Sequence, residues 1–197
     1  YLADVSVMIV DDNDFTVKMI RQVIKVIGAQ YVSTFNDARL AWKEYQANPC
    51  DLIILDWQMP GMNGIQFTKL VRTHEDSPNV FVPIIMVSAF RTKEAVMAAR
   101  DAGVTEFVVK PMAPKALFER IEAVIEKPRR FVRVGEFFGP DRRRHKGGYD
   151  GDDRRGKSKP DVVDQAAAAR ERKRDMGQEE INKTFNPDDV KLRESAD

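Results

Sequence analysis

Five short apolar runs, each stopping at polar residues and each followed by residues at helical spacing, constrain this chain more than any other feature. Residues 5–10, VSVMIV, end at Asp11-Asp12; Phe15, Met19, Val23, Val26 and Ile27 then recur at helical intervals until Gly28. An apolar, β-branched run reads as a buried strand, and the change of period with a closing glycine reads as a helix and its stop. The alternation repeats. Strand 31–35 precedes helix 37–47, and strand 51–56 leads through a loop at 59–64 (MPGMNG) into helix 64–73. Strand 83–88 precedes an Ala-rich helix at 93–102 closed by Gly103, and strand 106–109 precedes helix 114–126.

Strands apolar along their length and joined by helices predict a parallel sheet covered on both faces. The expected fold is α/β, a flavodoxin-like (βα)5 doubly wound sheet of order 2-1-3-4-5. Ligands of such sheets sit beyond the carboxyl edge, where the winding reverses. The strand ends therefore matter most: Asp11 and Asp12 on the first, Asp56 on the third, Ser88 on the fourth, and Lys110 just past the fifth. Three converging carboxylates repel unless a cation joins them. Mg²⁺ suits such a site, because it takes one or two carboxylates and keeps several waters. With Lys110 as a fixed positive charge and Ser88 as a hydroxyl donor, an anionic group arriving at Asp56 would meet the stabilisation that phosphoryl transfer requires.

Four motifs carry a family resemblance: VDD at 10–12, LDWQMPGMNG at 55–64, VSAF at 87–90 and VVKP at 108–111. Over about residues 4–127 the chain resembles a response-regulator receiver domain of the chemotaxis single-domain type. The resemblance implies that Asp56 is the phosphorylated carboxylate. It implies that Asp12 binds Mg²⁺ directly, that Asp11 does so largely through water, and that the backbone carbonyl of Gln58 is a further ligand. Lys110 would pair with phosphoryl oxygens, the Lys110-Pro111 bond would be cis, and Ser88 would bond a phosphoryl oxygen. Phe107 stands at the family's switch position, although an aromatic ring there equally suits a core residue. Ser88 replaces the commoner threonine and keeps the hydroxyl. Bulky Phe90 and non-acidic Gln58 are expected to slow loss of the phosphoryl group. Trp57 is a candidate reporter of the site, while Trp42 and Tyr45 read as helix packing and His74 as a residue compensating a helix end.

Composition shifts at Lys127-Pro128-Arg129-Arg130. Through Pro128 the chain carries 14 Lys+Arg against 16 Asp+Glu, and beyond it 18 against 15. The expected division is a receiver at 1–128 and an extension at 129–197 with no recognisable output domain. Residues 129–146, RRFVRVGEFFGPDRRRHK, interleave aromatic residues with arginines; the aromatics can pack back on the receiver or dock a partner, and the basic part reads as a partly ordered strap. A flexible linker is expected at 146–160, and a thin-faced helix from about Val162 to Ile181.

The formal net charge of +1 excludes a whole-protein field for nucleic acid, and no apolar run approaches a membrane span. The single cysteine, Cys50, excludes an internal disulfide and accords with the cytoplasm. The chain opens on Tyr1, which leaves room for an upstream segment. The resemblance implies a phosphoacceptor in two-component signalling whose only chemistry is self-catalysed phosphotransfer and autodephosphorylation. Its partners would be a histidine kinase or histidine phosphotransfer protein and a downstream protein target. Two other readings stand beside it: a receiver-gated nucleic-acid adaptor acting through the Arg-rich tail, the less favoured partner class, and a phosphorelay shuttle.

Overall fold

A computed structural model describes residues 3–141 and 161–163. Ten elements alternate as the sequence predicts: β1 (Ser6–Val10), α1 (Asp14–Ile27), β2 (Tyr31–Phe35), α2 (Ala38–Ala47), β3 (Leu52–Asp56), α3 (Gly64–Thr73), β4 (Ile84–Ser88), α4 (Lys93–Ala102), β5 (Glu106–Val109) and α5 (Pro114–Glu126). The sheet order is β2-β1-β3-β4-β5, and every pairing is parallel. The flavodoxin-like arrangement is thus the observed one. The pairings Val10↔Phe35, Val10↔Leu55, Asp56↔Val87 and Ser88↔Val109 bring the carboxyl ends to one edge.

Side-chain alternation along the strands feeds two cores. Met8, Val10, Ile53, Leu55, Ile84 and Met86 face α2, α3 and α4, where Tyr45 and Phe67 are fully buried. Val7, Ile9, Ile54, Ile85 and Val108 face the opposite way, against Ile20 and Ile24 of α1 and Leu117 and Ile121 of α5. Both faces are covered, so the strands need no polar alternation. The helix ends follow local chemistry. Asn13 caps α1 by accepting from the Phe15 and Thr16 amides, and Gly28 closes it with a left-handed φ of 93°. Trp42 meets Phe67 and His74 edge-on, at 6.4 and 5.4 Å, and the Tyr45 hydroxyl donates to the Asn79 carbonyl at 2.6 Å.

Beyond α5 the chain forms a hairpin, β6 (Phe131–Val134) and β7 (Phe137–Pro140), joined by Gly135-Glu136 with φ of 57° at Gly135. A positive φ at the first of two turn residues suits a tight hairpin. The Asp141 amide donates to the Arg130 carbonyl at 2.7 Å and closes the hairpin's open end. A three-residue strand, β8 (Asp161–Val163), adds to β6 to give the order β7-β6-β8. Val162 and Val163, where the sequence predicts the start of a tail helix, are therefore extended. The rest of that expected helix, the expected linker at 146–160 and the arginines at 142–144 lie outside the described residues.

The hairpin packs on the α/β body within one compact unit, Tyr1–Val162. Phe131 and Phe138 set their rings 5.2 and 5.6 Å from Phe81, which precedes β4. Of the two roles open to the extension's aromatic residues, packing back is the one these rings take. Beneath them Arg72 of α3 is buried, with its Nε donating to the Gly103 carbonyl at 3.0 Å and its Nη1 to the Val80 carbonyl at 2.8 Å.

Candidate functional site

The parallel register sets the site. Each strand along the carboxyl edge is tied to its neighbour by a backbone bond: the Asp11 amide to the Phe35 carbonyl (3.0 Å), Trp57 to Val87 (3.0 Å) and Lys110 to Ser88 (2.7 Å). Those bonds hold the side chains that follow in fixed positions. Lys110 Nζ donates to Asp56 Oδ1 at 2.6 Å and to Asp11 Oδ2 at 2.9 Å. One carboxylate oxygen from each of Asp11, Asp12 and Asp56 lies within 4.8 Å of the others. Asp11 and Asp56 are buried and Asp12 is exposed, so the cluster opens to solvent on the Asp12 side. The Lys110–Pro111 peptide is cis.

The electrostatics follow from burial against pairing. Burial raises the Asp11 carboxyl above its usual pKa, and the bonds from Lys110 and from the Asn13 amide pull it back only in part. Burial works to lower the Lys110 ammonium, but its bonds to Asp11 and Asp56 prevail and hold it above the ordinary lysine value. The ammonium thus stays charged between two buried carboxylates, with a third carboxylate beside them. An all-oxygen donor set with excess negative charge and a solvent-facing side suits a hard divalent cation.

The remaining predicted residues surround this centre. Ser88 is fully buried at the end of β4, with its Oγ accepting the Phe90 amide at 3.0 Å. Gln58 follows β3 and helps line a cavity of about 440 Å³ with Trp57, Met59, Pro60, Asn63 and Phe90. Trp57 lies edge-on to Phe90 at 5.3 Å and to Phe107 at 6.2 Å. Phe107 is half-buried and packs against the core on the α2–α3–α4 side. His74 closes α3, and its Nδ1 accepts the Asp76 amide at 3.1 Å.

Residues 7–122 match the description of the response regulator receiver domain. The chain belongs to that family. Chemotaxis protein CheY1 of Helicobacter pylori strain 26695 is 34% identical over 121 residues, covering 61% of this chain and 96% of that protein. The structure of Vibrio cholerae chemotaxis protein CheY4 is 31% identical, with a TM-score of 0.55 over 61% of this chain and 98% of the other. A CheX–CheY–BeF3–Mg complex from Borrelia burgdorferi offers a chain that is 28% identical, with a TM-score of 0.54 over 61% of this chain and 89% of the other.

Three features of this receiver escape a reading of strand ends alone. Asn13 both caps α1 and donates its amide to Asp11 Oδ1 at 2.8 Å, which aims the carboxylate. An asparagine just before a helical run was the available signal. Asn63 and Gln66 form a reciprocal capping box that fixes the start of α3 just after the loop from Asp56. Glu106 of β5, one residue before Phe107, is buried and pairs with Arg120 at 3.3 Å and with Arg129 of the extension. No local pattern announces that last cluster, because its three members come from three separate elements.

Proposed function

We propose that this receiver is the phospho-accepting switch of a two-component pathway, with Asp56 as acceptor. The observation that carries the proposal is the Lys110 ammonium bonded to both Asp56 and Asp11 while three carboxylates share one small volume. A carboxylate oxygen of Asp56 attacks phosphorus of a phosphohistidine; the P–O bond of an acyl phosphate forms, the P–N bond breaks, and the imidazole leaves with the electron pair. Lys110 stands ready to exchange a carboxylate partner for a phosphoryl oxygen, and so balances charge that grows during transfer. Ser88 donates its hydroxyl hydrogen to a second phosphoryl oxygen, a bond its oxygen can make while still accepting the Phe90 amide. Asp12, Asp11, Asp56 and the Gln58 carbonyl would hold Mg²⁺, which neutralises the crowded anions when bound.

Phosphorylation adds contacts that exist in only one state, which is what shifts the equilibrium of the Ser88 and Phe107 segments. The proposed donor is a histidine kinase or histidine phosphotransfer protein, the proposed output is protein binding, and the proposed compartment is the cytoplasm. No helix among the described residues is long and apolar enough to cross a membrane. The receiver proper is assigned to 1–128, with 129–197 as an extension lacking an output domain of its own.

The test is Mg²⁺-dependent modification by acetyl phosphate, read by intact mass beside Asp56→Asn. One added phosphate on the parent, absent from the variant and absent without Mg²⁺, is the expected result. A parent that takes no phosphate from acetyl phosphate or from a phosphohistidine donor would refute the proposal.

A further inference from the structure

The hairpin touches the receiver at both ends of the segment that joins α4 to β5. At the β5 end, Arg129 pairs with Glu106, the neighbour of Phe107. At the α4 end, β7 lies directly on Gly103: a Cβ on Gly139 would stand 2.9 Å from the Gly103 Cα, and one on Gly103 would stand 3.1 Å from the Phe138 carbonyl oxygen. Neither backbone has room to approach the other. A movement of the α4–β5 turn by even a fraction of that spacing must either carry the hairpin along or break its seat.

The seat itself is finely balanced. Phe131 and Phe138 are buried at 3% and 8% exposure, which favours docking. The Phe131 ring lies 5.1 Å from Cζ of buried Arg72; among the described residues that guanidinium has no carboxylate beside it and its Nη2 finds no hydrogen-bond partner. A buried cation held by two carbonyls and an aromatic face forfeits hydration that it regains when uncovered. Apolar gain and cationic loss therefore oppose each other under one small hairpin.

From these contacts we infer that residues 129–140 are the output arm of this receiver, seated on the α4–β5 turn in the unmodified protein and loosened when Asp56 is phosphorylated. The inference rests on the proposed acceptor role of Asp56 and names what that switch would move. Release would expose the Phe131–Phe138 face and detach Arg129 from β5. Coupling is reciprocal, so weakening the seat must favour the activated state.

Hydrogen exchange on the full chain, with and without beryllofluoride and Mg²⁺, tests the inference, with phosphate uptake followed separately by intact mass. Amides of 131–140 are expected to exchange at least about tenfold faster in the activated protein, within the range of ordinary allosteric coupling. Phe131→Ala and, as a milder second variant, Arg129→Gln are expected to raise beryllofluoride affinity by about fivefold or more. Phosphate uptake with unchanged exchange in the arm and unchanged affinity in Arg129→Gln would overturn the inference and leave the acceptor role intact. Failure of Asp56 to take phosphate would overturn both.

Discussion

Gly64 and Asp56 are packed so closely that a Cβ on the glycine would stand 2.3 Å from the Asp56 carbonyl oxygen. The Gly64 amide also donates to the Trp57 carbonyl at 2.9 Å, which folds the loop after β3 back on that strand's end. Gly64→Ala is expected to push the Asp56 backbone out of register with Lys110. The loss in stability should be about 1–3 kcal/mol, the usual cost of overpacking, with phosphate uptake reduced beyond what stability explains. Urea unfolding and intact mass after acetyl phosphate check the two parts. A variant with parental stability would show that the loop has slack which this packing does not reveal.

On the proposed metal site, Mg²⁺ is expected to stabilise the receiver, because it would bind the folded carboxylate cluster and not the unfolded chain. At a hundredfold excess over its Kd the gain should be about 2.7 kcal/mol. Asp12→Asn removes the exposed carboxylate and with it one of three crowded charges, so its metal-free unfolding midpoint should lie at or above the parent's while the Mg²⁺-dependent shift largely disappears. Thermal unfolding across a Mg²⁺ titration measures both.

Phe90 borders the cavity that Trp57 and Gln58 line after β3 and packs against Trp57, so on the proposed function it would restrict water near a phosphoryl group on Asp56. Phe90→Glu should open that side and supply a carboxylate to orient water. Phosphoryl loss from the purified protein is expected to quicken by about tenfold or more, at the low end of what a positioned base contributes. Decay at the parental rate would assign the lifetime to other groups.

Cys50 lies buried before β3, and burial pushes its thiol up to about 12. The native chain should therefore resist iodoacetamide at pH 8 and react readily once urea unfolds it. The sign with pH follows. The unfolded thiol ionises near the ordinary value of 9.0 while the native one keeps its proton, so this group's contribution to stability falls as pH rises from about 9 toward 12. Cys50→Ala should flatten that part of the stability profile.

Much of the site was legible because it depends on local signals that a parallel sheet converts into proximity. VDD, LDW and VVKP each end an apolar run, and a common strand direction brings those ends together. The hairpin was less legible. FVRV-GE-FFGP has β-prone residues flanking a Gly-containing pair, which is a turn signal, but the surrounding arginines favoured a solvated strap. Arg72 gave no signal at all. An arginine near a helix end is ordinarily exposed, but here it is buried, bonded to the Val80 and Gly103 carbonyls and faced by the Phe131 ring some sixty residues on.

By itself, then, the order of apolar runs and helical periods determined the five-stranded sheet, its two covered faces and the edge where Asp11, Asp12, Asp56 and Lys110 meet. Periodicity is a property of neighbouring residues, and strand direction follows from the helical crossovers between them. Tertiary structure decided what periodicity cannot encode. It set which carboxylates Lys110 bridges, how Trp57 lies between Phe90 and Phe107, and that the hairpin after α5 seats on Arg72 and Gly103. Those contacts join residues far apart in the chain, and their geometry exists only once the packed core has fixed the distances between elements.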